Sequence, residues 1–312
     1  MLLHGLLTLE MVPLSSNRFV FLNTKAFTPL ILFLLYRYLC LNQTDRMKYL
    51  EGIPETLYKY RSWDSKYHQS LLTENEIFLA SPANLNDPFD ASLPFRYDQA
   101  EMTPENVFRK LVEIGKINWP EKTDAELHEI AYKRQNSGVF ESGDYWKEQH
   151  AESKASMHKT FGILSTTTKN DNLLMWAHYA DCHRGFCVGL DSKILFESIG
   201  GTIGRVNYAD SFPMMPLFGQ NSHHMVKMLN TKSPEWEYED EYRVTKGNAS
   251  NVAFTLPPEA ITEVVLGCNM PADQRKEIIG VLDEKLPHVK IFDATTSLEH
   301  FRLDINIAVK IS

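Results

Sequence analysis

The sequence predicts an α+β fold that is mainly antiparallel, and three observations carry that prediction. Short apolar-alternating runs, separated by Gly, Pro, Asn and Asp, recur from residue 55 to the C-terminus. Three amphipathic helical runs are bunched between residues 101 and 160 instead of alternating with the strands. No Gly-rich strand–turn–helix signature marks a dinucleotide-binding sheet, since GGTIG from Gly200 and CHRGF around Gly185 lack that context. Strands in series with helices set apart from them define α+β.

Along the chain, ETLYKYRS (55–62) reads as a short strand. YHQSLLTENE reads as a helical turn leading into the strand EIFLAS (76–81). SPANLNDPFD is a structured turn, dense in side chains that bond nearby backbone amides. TPENVFRKLVEIGKI has Thr103 as N-cap and Pro104 at the first helical position. TDAELHEIAYKR repeats that design with Thr123 or Asp124 as cap, and a third helix covers 143–158. The block 101–160 is therefore a helical insertion. FGILSTT (161–167) and RGFCVGLD (184–191) are strands, joined by a short helix in DNLLMWAHYAD capped by Asp171. GRVNY is a strand, and SHHMVKMLN a helical turn capped by Ser222, with His223 and His224 on a solvated face. EDEYRVTK, NVAFTL and ITEVVLG are strands, and DQRKEIIGVLDEKL is a helix. HVKIFDA and HFRLDINIAVKI close the chain, the last with Phe301, Leu303, Ile305, Ile307 and Val309 on one face.

At 312 residues the chain is long enough to bury a core, and its net charge of −8 argues against a broad nucleic-acid-binding surface. Residues 1–46 read differently from the rest. PLILFLL (29–35) is interrupted by Tyr36, Arg37 and Tyr38, too short for the ~20 apolar residues of a membrane span. It starts too far in for a signal segment, and no small-residue cleavage site follows. The expected organisation is an extension ahead of a natural start at Met47, then one folded unit over 47–312; an anchor is the competing reading. Cys40, Cys182, Cys187 and Cys268 form no C-x-x-C pair, which points to free thiols in a reducing, cytoplasmic compartment. The short apolar run leaves no membrane partner expected.

SPEWEYEDEYRV (233–244), written as a strand, puts Glu235, Glu237, Glu239, Glu241 and Arg243 on one face. The plain structural alternative is a solvated edge with Arg243 paired to Glu241. Four acids exceed what an edge needs, so a catalytic pair is the competing reading. In LLMWAHYADCHRGF, His178 or His183 is an acid/base or ligand contact, or else a hydrogen-bonded structural histidine. Tyr179 lies one step round the helix from His178. His178, His183 and Asp181 match no closed zinc site, so no metal is expected. In LNDPFD, Asn86 and Asp87 build the turn, or touch a ribose or base beside it.

LYKYRS, IFLASPANLNDPFD, LLMWAHYADCHRGFCVGLD, WEYEDEYRV and ITEVVLGCNM, in that order, resemble the bacterial domain-of-unknown-function 2971 family over about 57–279. A second resemblance is to ADP-ribosyltransferases of the arginine–serine–glutamate type, through YKYR, FGILSTT and EDE. It departs from their pattern in reading S-T-T and in the long insertion. That resemblance implies a split sheet and NAD as substrate. Glu241 would hold the ribose of an oxocarbenium-like state and Glu239 would serve the acceptor. Arg61 or Lys59 would neutralise the pyrophosphate, Ser165 would bond the nicotinamide ribose, and Tyr58 or Tyr60 would stack on nicotinamide. Asn86, His178 and Tyr179 complete the candidate cofactor contacts. The acceptor would be a macromolecule, in a bacterial toxin or anti-phage role. The alternative is a non-enzymatic nucleotide-sensing or protein-interaction module of the first family; a Mg²⁺-dependent nuclease is a distant third.

Overall fold

A computed structural model describes residues 50–94, 96–218 and 221–308, without the side chains of 221–223. Residues 1–46, the Met47 start, the side chains of Ser222 and His223, and Val309 lie outside the described residues. The strands are β1 (Thr56–Arg61), β2 (Glu76–Leu79), β3 (Phe161–Thr167), β4 (Phe186–Asp191), β5 (Thr202–Arg205), β6 (Asn207–Tyr208), β7 (Thr231–Lys232), β8 (Glu241–Gly247), β9 (Val252–Thr255), β10 (Ile261–Leu266), β11 (Lys290–Thr296) and β12 (Leu303–Ile307). The helices are α1 (Lys66–Thr73), α2 (Pro104–Asn118), α3 (Asp124–Gln135), α4 (Gly143–Thr160), α5 (Leu173–Tyr179), α6 (Ser192–Ile199), α7 (Asn221–Leu229) and α8 (Ala272–Lys285).

Eight strands form one open sheet in the order β12-β11-β10-β4-β1-β3-β8-β5. Its ladders are antiparallel except β10–β11, which makes the α+β class plain. β2–β9 and β6–β7 are separate two-stranded ribbons. β4 is apolar almost throughout because helices cover both faces of the sheet. On one face Leu71 and Leu72 of α1, Leu195, Phe196 and Ile199 of α6, and Ile278 and Leu282 of α8 pack with Phe186, Val188 and Leu190. On the other, α5 contributes Met175 and Trp176, while α4 and α7 bring Met157, Met225, Met228 and Leu229. Each fully buried side chain of this size stabilises the fold by about 1.5–3 kcal/mol.

The sheet has a seam. β1 shares six register pairs with β4, and β3 shares seven with β8, but β1 and β3 share only Tyr58↔Thr167. Lys59 Nζ bridges the opening by donating to the Ser165 carbonyl at 2.6 Å.

The helix caps follow the sequence signals. Thr103 caps α2, and Thr123 with Glu126 forms a capping box on α3. The cap of α5 is a correction: Asn172, not Asp171, accepts from the Leu174 and Met175 amides. Its Nδ2 also donates to Tyr238 O at 2.8 Å, which ties α5 to the turn before β8. Asn172→Ala is expected to lower the unfolding free energy by about 1 kcal/mol in urea denaturation.

Two strand expectations are also corrected. Residues 233–240 are not strand: Pro234–Glu239 is a 3-10 turn and Asp240 takes a left-handed φ of 42°. Pro234 fixes the turn's first φ and has no amide for a ladder, so β8 begins only at Glu241. Glu235 and Glu237 are exposed and apart from the buried acids. In the last strand, Phe301 precedes β12 and is fully exposed, while Leu303 is buried and Ile307 exposed, because β12 is an edge.

Candidate functional site

Glu241, Arg243 and Thr245 alternate with Tyr242 and Val244 along β8, and Tyr242 and Val244 pack into the α1–α6–α8 core. Glu241 and Arg243 therefore project from the opposite face, where the register aligns Tyr58 with Thr167 and Thr167 with Glu241. There Arg243 is 0% exposed and all five of its N–H donors are used. Nε donates to Glu241 Oε1 at 2.9 Å and Nη2 to Glu241 Oε2 at 2.9 Å. Nη1 and Nη2 fork onto Asp90 at 2.8 and 3.1 Å, and Nη1 also reaches Leu229 O at 2.6 Å. Lys232 of β7 adds a second cation, 2.5 Å from Glu239 Oε2, 3.3 Å from Glu241 Oε2 and 3.7 Å from Asp90 Oδ2. The network thus holds three carboxylates against two cations, with every side chain at most 5% exposed.

Ion pairing sets the charge states. Burial alone raises the Glu241 carboxyl, but Arg243 and Lys232, with hydrogen bonds from Ser165 and Arg243, hold it down at about 2. Burial lowers the Lys232 ammonium, and Glu241, Asp90 and Glu239 more than offset this and raise it. The Glu241 amide donates to Tyr208 Oη at 2.9 Å, fixing the backbone at the strand entry. Tyr179 Oη donates to Glu239 Oε1 at 2.6 Å. Burial, then this bond and the Glu239 charge, raises the Tyr179 phenol and keeps it a donor.

The structure brings Ser165, Glu239, Glu241, Tyr179 and Asn86 together. Asn86 is exposed and donates to Tyr179 Oη at 3.0 Å, while Asp87 Oδ1 accepts the Phe89 amide and so builds the turn. His178 is exposed, with Nδ1 3.0 Å from Tyr238 Oη. Tyr60 is buried, packed edge-on against Trp176, and donates to Lys169 O. Lys59 and Arg61 are placed differently. They align with Val188 and Phe186, core residues of the other sheet face, whereas Tyr58 and Tyr60 face the acids. Burial, then Arg61, pushes the Lys59 ammonium well below its usual value, and burial lowers Arg61 to about 10. Neither has a carboxylate within ion-pair distance among the described residues.

Asp90 and Lys232 carry no sequence motif. Asp90 follows the NDPF turn, and Lys232 stands alone before Ser233–Pro234. The one usable signal was Arg243: a strand arginine between apolar neighbours needs acids close to it.

The turn after α5 is strained. Asp181, Cys182 and His183 all have positive φ, at 46°, 51° and 68°. A Cβ on Gly185 would lie 2.1 Å from the Arg61 carbonyl, so only glycine fits where this turn meets β1. His183 stacks on Trp176 at 11°, and burial lowers its pKa. Cys182, Cys187 and Cys268 are free thiols.

Residues 175–244 match the model of a family described as Protein of unknown function (DUF2971). That segment is similar to the DUF2971 family. It runs from inside α5 to Val244 of β8 and contains Lys232, Glu239, Glu241, Arg243, His178 and Tyr179. Asp90, Asn86, Ser165 and all of β1 lie outside the DUF2971 match, which is narrower than the resemblance over 57–279. No curated protein and no solved structure matches the chain. Among the described residues no helix is long and apolar enough to cross a membrane, and no group of three or more His, Cys, Asp or Glu side chains is placed so that it could hold a metal ion. A groove of about 380 Å³, lined by Phe212, Pro213, Met214, Lys227 and Thr231 among others, includes none of the candidate residues.

Proposed function

We propose that the chain is a non-enzymatic protein-interaction module, whose partner docks over the outer face of the Glu239–Lys232–Glu241–Arg243–Asp90 network. One observation carries this reading: both catalytic candidates are closed. Each Glu241 oxygen accepts from Arg243, and each Glu239 oxygen accepts from Tyr179 or Lys232. A carboxylate that stabilises a developing oxocarbenium charge must touch the sugar. Here a sugar would first have to displace buried charge-assisted bonds, at several kcal/mol. The network is built to hold β7, β8 and the 87–90 turn together, which is what a rigid docking face needs.

A second reading keeps the transferase. Ser165, Glu239 and Glu241 converge beside the β1–β3 seam, and Lys59 reaches Ser165 O from the far side of it. In this reading NAD enters the seam, with its pyrophosphate against Lys59 and Arg61. Incubation with NAD labelled in the nicotinamide, together with cell lysate, separates the two. The module releases no nicotinamide above a buffer control. Release that falls at least about 100-fold in folded Glu241→Gln protein establishes the transferase and ends the module reading.

A further inference from the structure

The surface above the ion network has a composition that selects a partner. Trp236, Tyr238, His178 and Tyr179 form a continuous series of ring contacts: Trp236–Tyr238 centroids are 6.2 Å apart, Tyr238–His178 6.0 Å, and His178–Tyr179 6.1 Å. Two elements, the Pro234–Glu239 turn and α5, supply these rings, and the Asn172 bond to Tyr238 O locks the two together. His178 is exposed and the other three are partly exposed, so the series is within reach of solvent. Exposed Leu174 lies one turn before His178 on α5.

The charge around this series is negative. Glu235 and Glu237 flank Trp236 and Tyr238 and are exposed. Beneath them Tyr179 is bonded to Glu239, a member of a network with one more carboxylate than cation. Lys232 already shows the preference of the site from below, its ammonium lying 4.6 Å from the Trp236 ring centroid. Aromatic faces within a negative field attract cations and disfavour a phosphate-bearing ligand. A planar guanidinium also stacks on such rings, whereas an ammonium keeps its strongly bound water.

We infer that this aromatic and acidic face binds an arginine-containing basic segment of a partner protein, with guanidinium groups stacked on Trp236 and Tyr238 between Glu235 and Glu237. The inference rests on the module reading and names its partner class. No covalent step is involved.

The test is fluorescence anisotropy of the full chain with a fluorescein-labelled Gly-Arg-Gly-Arg-Gly-Arg peptide, beside its lysine and glutamate counterparts, at about 0.15 M salt. Saturable binding of the arginine peptide is expected, at least about fivefold tighter than the lysine peptide, with none by the glutamate peptide. Trp236→Leu is expected to weaken it about tenfold. Glu235→Gln with Glu237→Gln, both at exposed positions, is expected to weaken it about fivefold and to flatten its salt dependence. Absence of saturable arginine-peptide binding overturns the inference, as does equal binding of the lysine peptide or unchanged affinity in both variants. Those outcomes leave the module reading in place, because it rests on the closed carboxylates and not on the class of partner.

Discussion

Arg243→Met is expected to lower the unfolding free energy by about 3–5 kcal/mol. Methionine fills much of the same volume, so the loss is chiefly electrostatic. Arg243 forks onto Asp90, binds both oxygens of Glu241 and satisfies Leu229 O, all without solvent access. Its removal strands two buried carboxylates, and Lys232 at 3.3 and 3.7 Å is left as their nearest cation. It also releases the end of α7 from β8, because Leu229 is the last residue of that helix. Urea denaturation followed by far-UV circular dichroism measures the loss. A decrease below about 1 kcal/mol would mean that the network relaxes or hydrates freely, contrary to its burial.

Acid is expected to act through Glu241. Its carboxyl has an ordinary value of 4.5 and is held at about 2 in the folded state. A depressed folded value means that the stabilisation is present above the unfolded value and is lost as pH falls. The window therefore runs from about 4.5 down through about 2. The ion pairing of Glu241 outweighs its burial, so it stabilises the fold above that window and ceases to do so below it. Lys232 gives the opposite sign: its raised value means a contribution present below about 10.5 and lost as pH climbs past it. Urea midpoints recorded from pH 7 to pH 2 should fall steeply below pH 4.5 in the natural protein. Glu241→Gln should start lower at pH 7 and show a shallower acid limb. Parallel acid limbs would remove Glu241 as the group responsible.

The fold class was legible because period-2 strands and clustered helices leave a local trace. Thr103 and Thr123 caps were legible for the same reason. The turn at 234–239 was not, because alternation of Glu with Trp and Tyr fits a strand as well as it fits a short 3-10 segment. Pro234 and the left-handed Asp240 decided it. The sequence suggests the Glu241–Arg243 pair as a solvated contact, and the structure makes it the buried centre of the network. Burial depends on Asp90, 153 residues away, and on β7, a two-residue strand that periodicity cannot register. The faces of β1 were equally hidden. Lys59 and Arg61 share one parity and Tyr58 and Tyr60 the other, but only pairing with β4 and β3 shows which parity faces the acids.

The central claim is that Glu241 is a closed, ion-paired carboxylate. Its most direct test is the side-chain carboxyl ¹³C resonance of Glu241, assigned by comparison with Glu241→Gln and followed as pH falls. A closed carboxylate predicts no titration of this resonance between pH 7 and pH 4, with a midpoint near 2 or coincident with unfolding. A midpoint near 4.5 in the folded protein would show an open, solvated carboxylate, and the module reading would lose the observation that carries it.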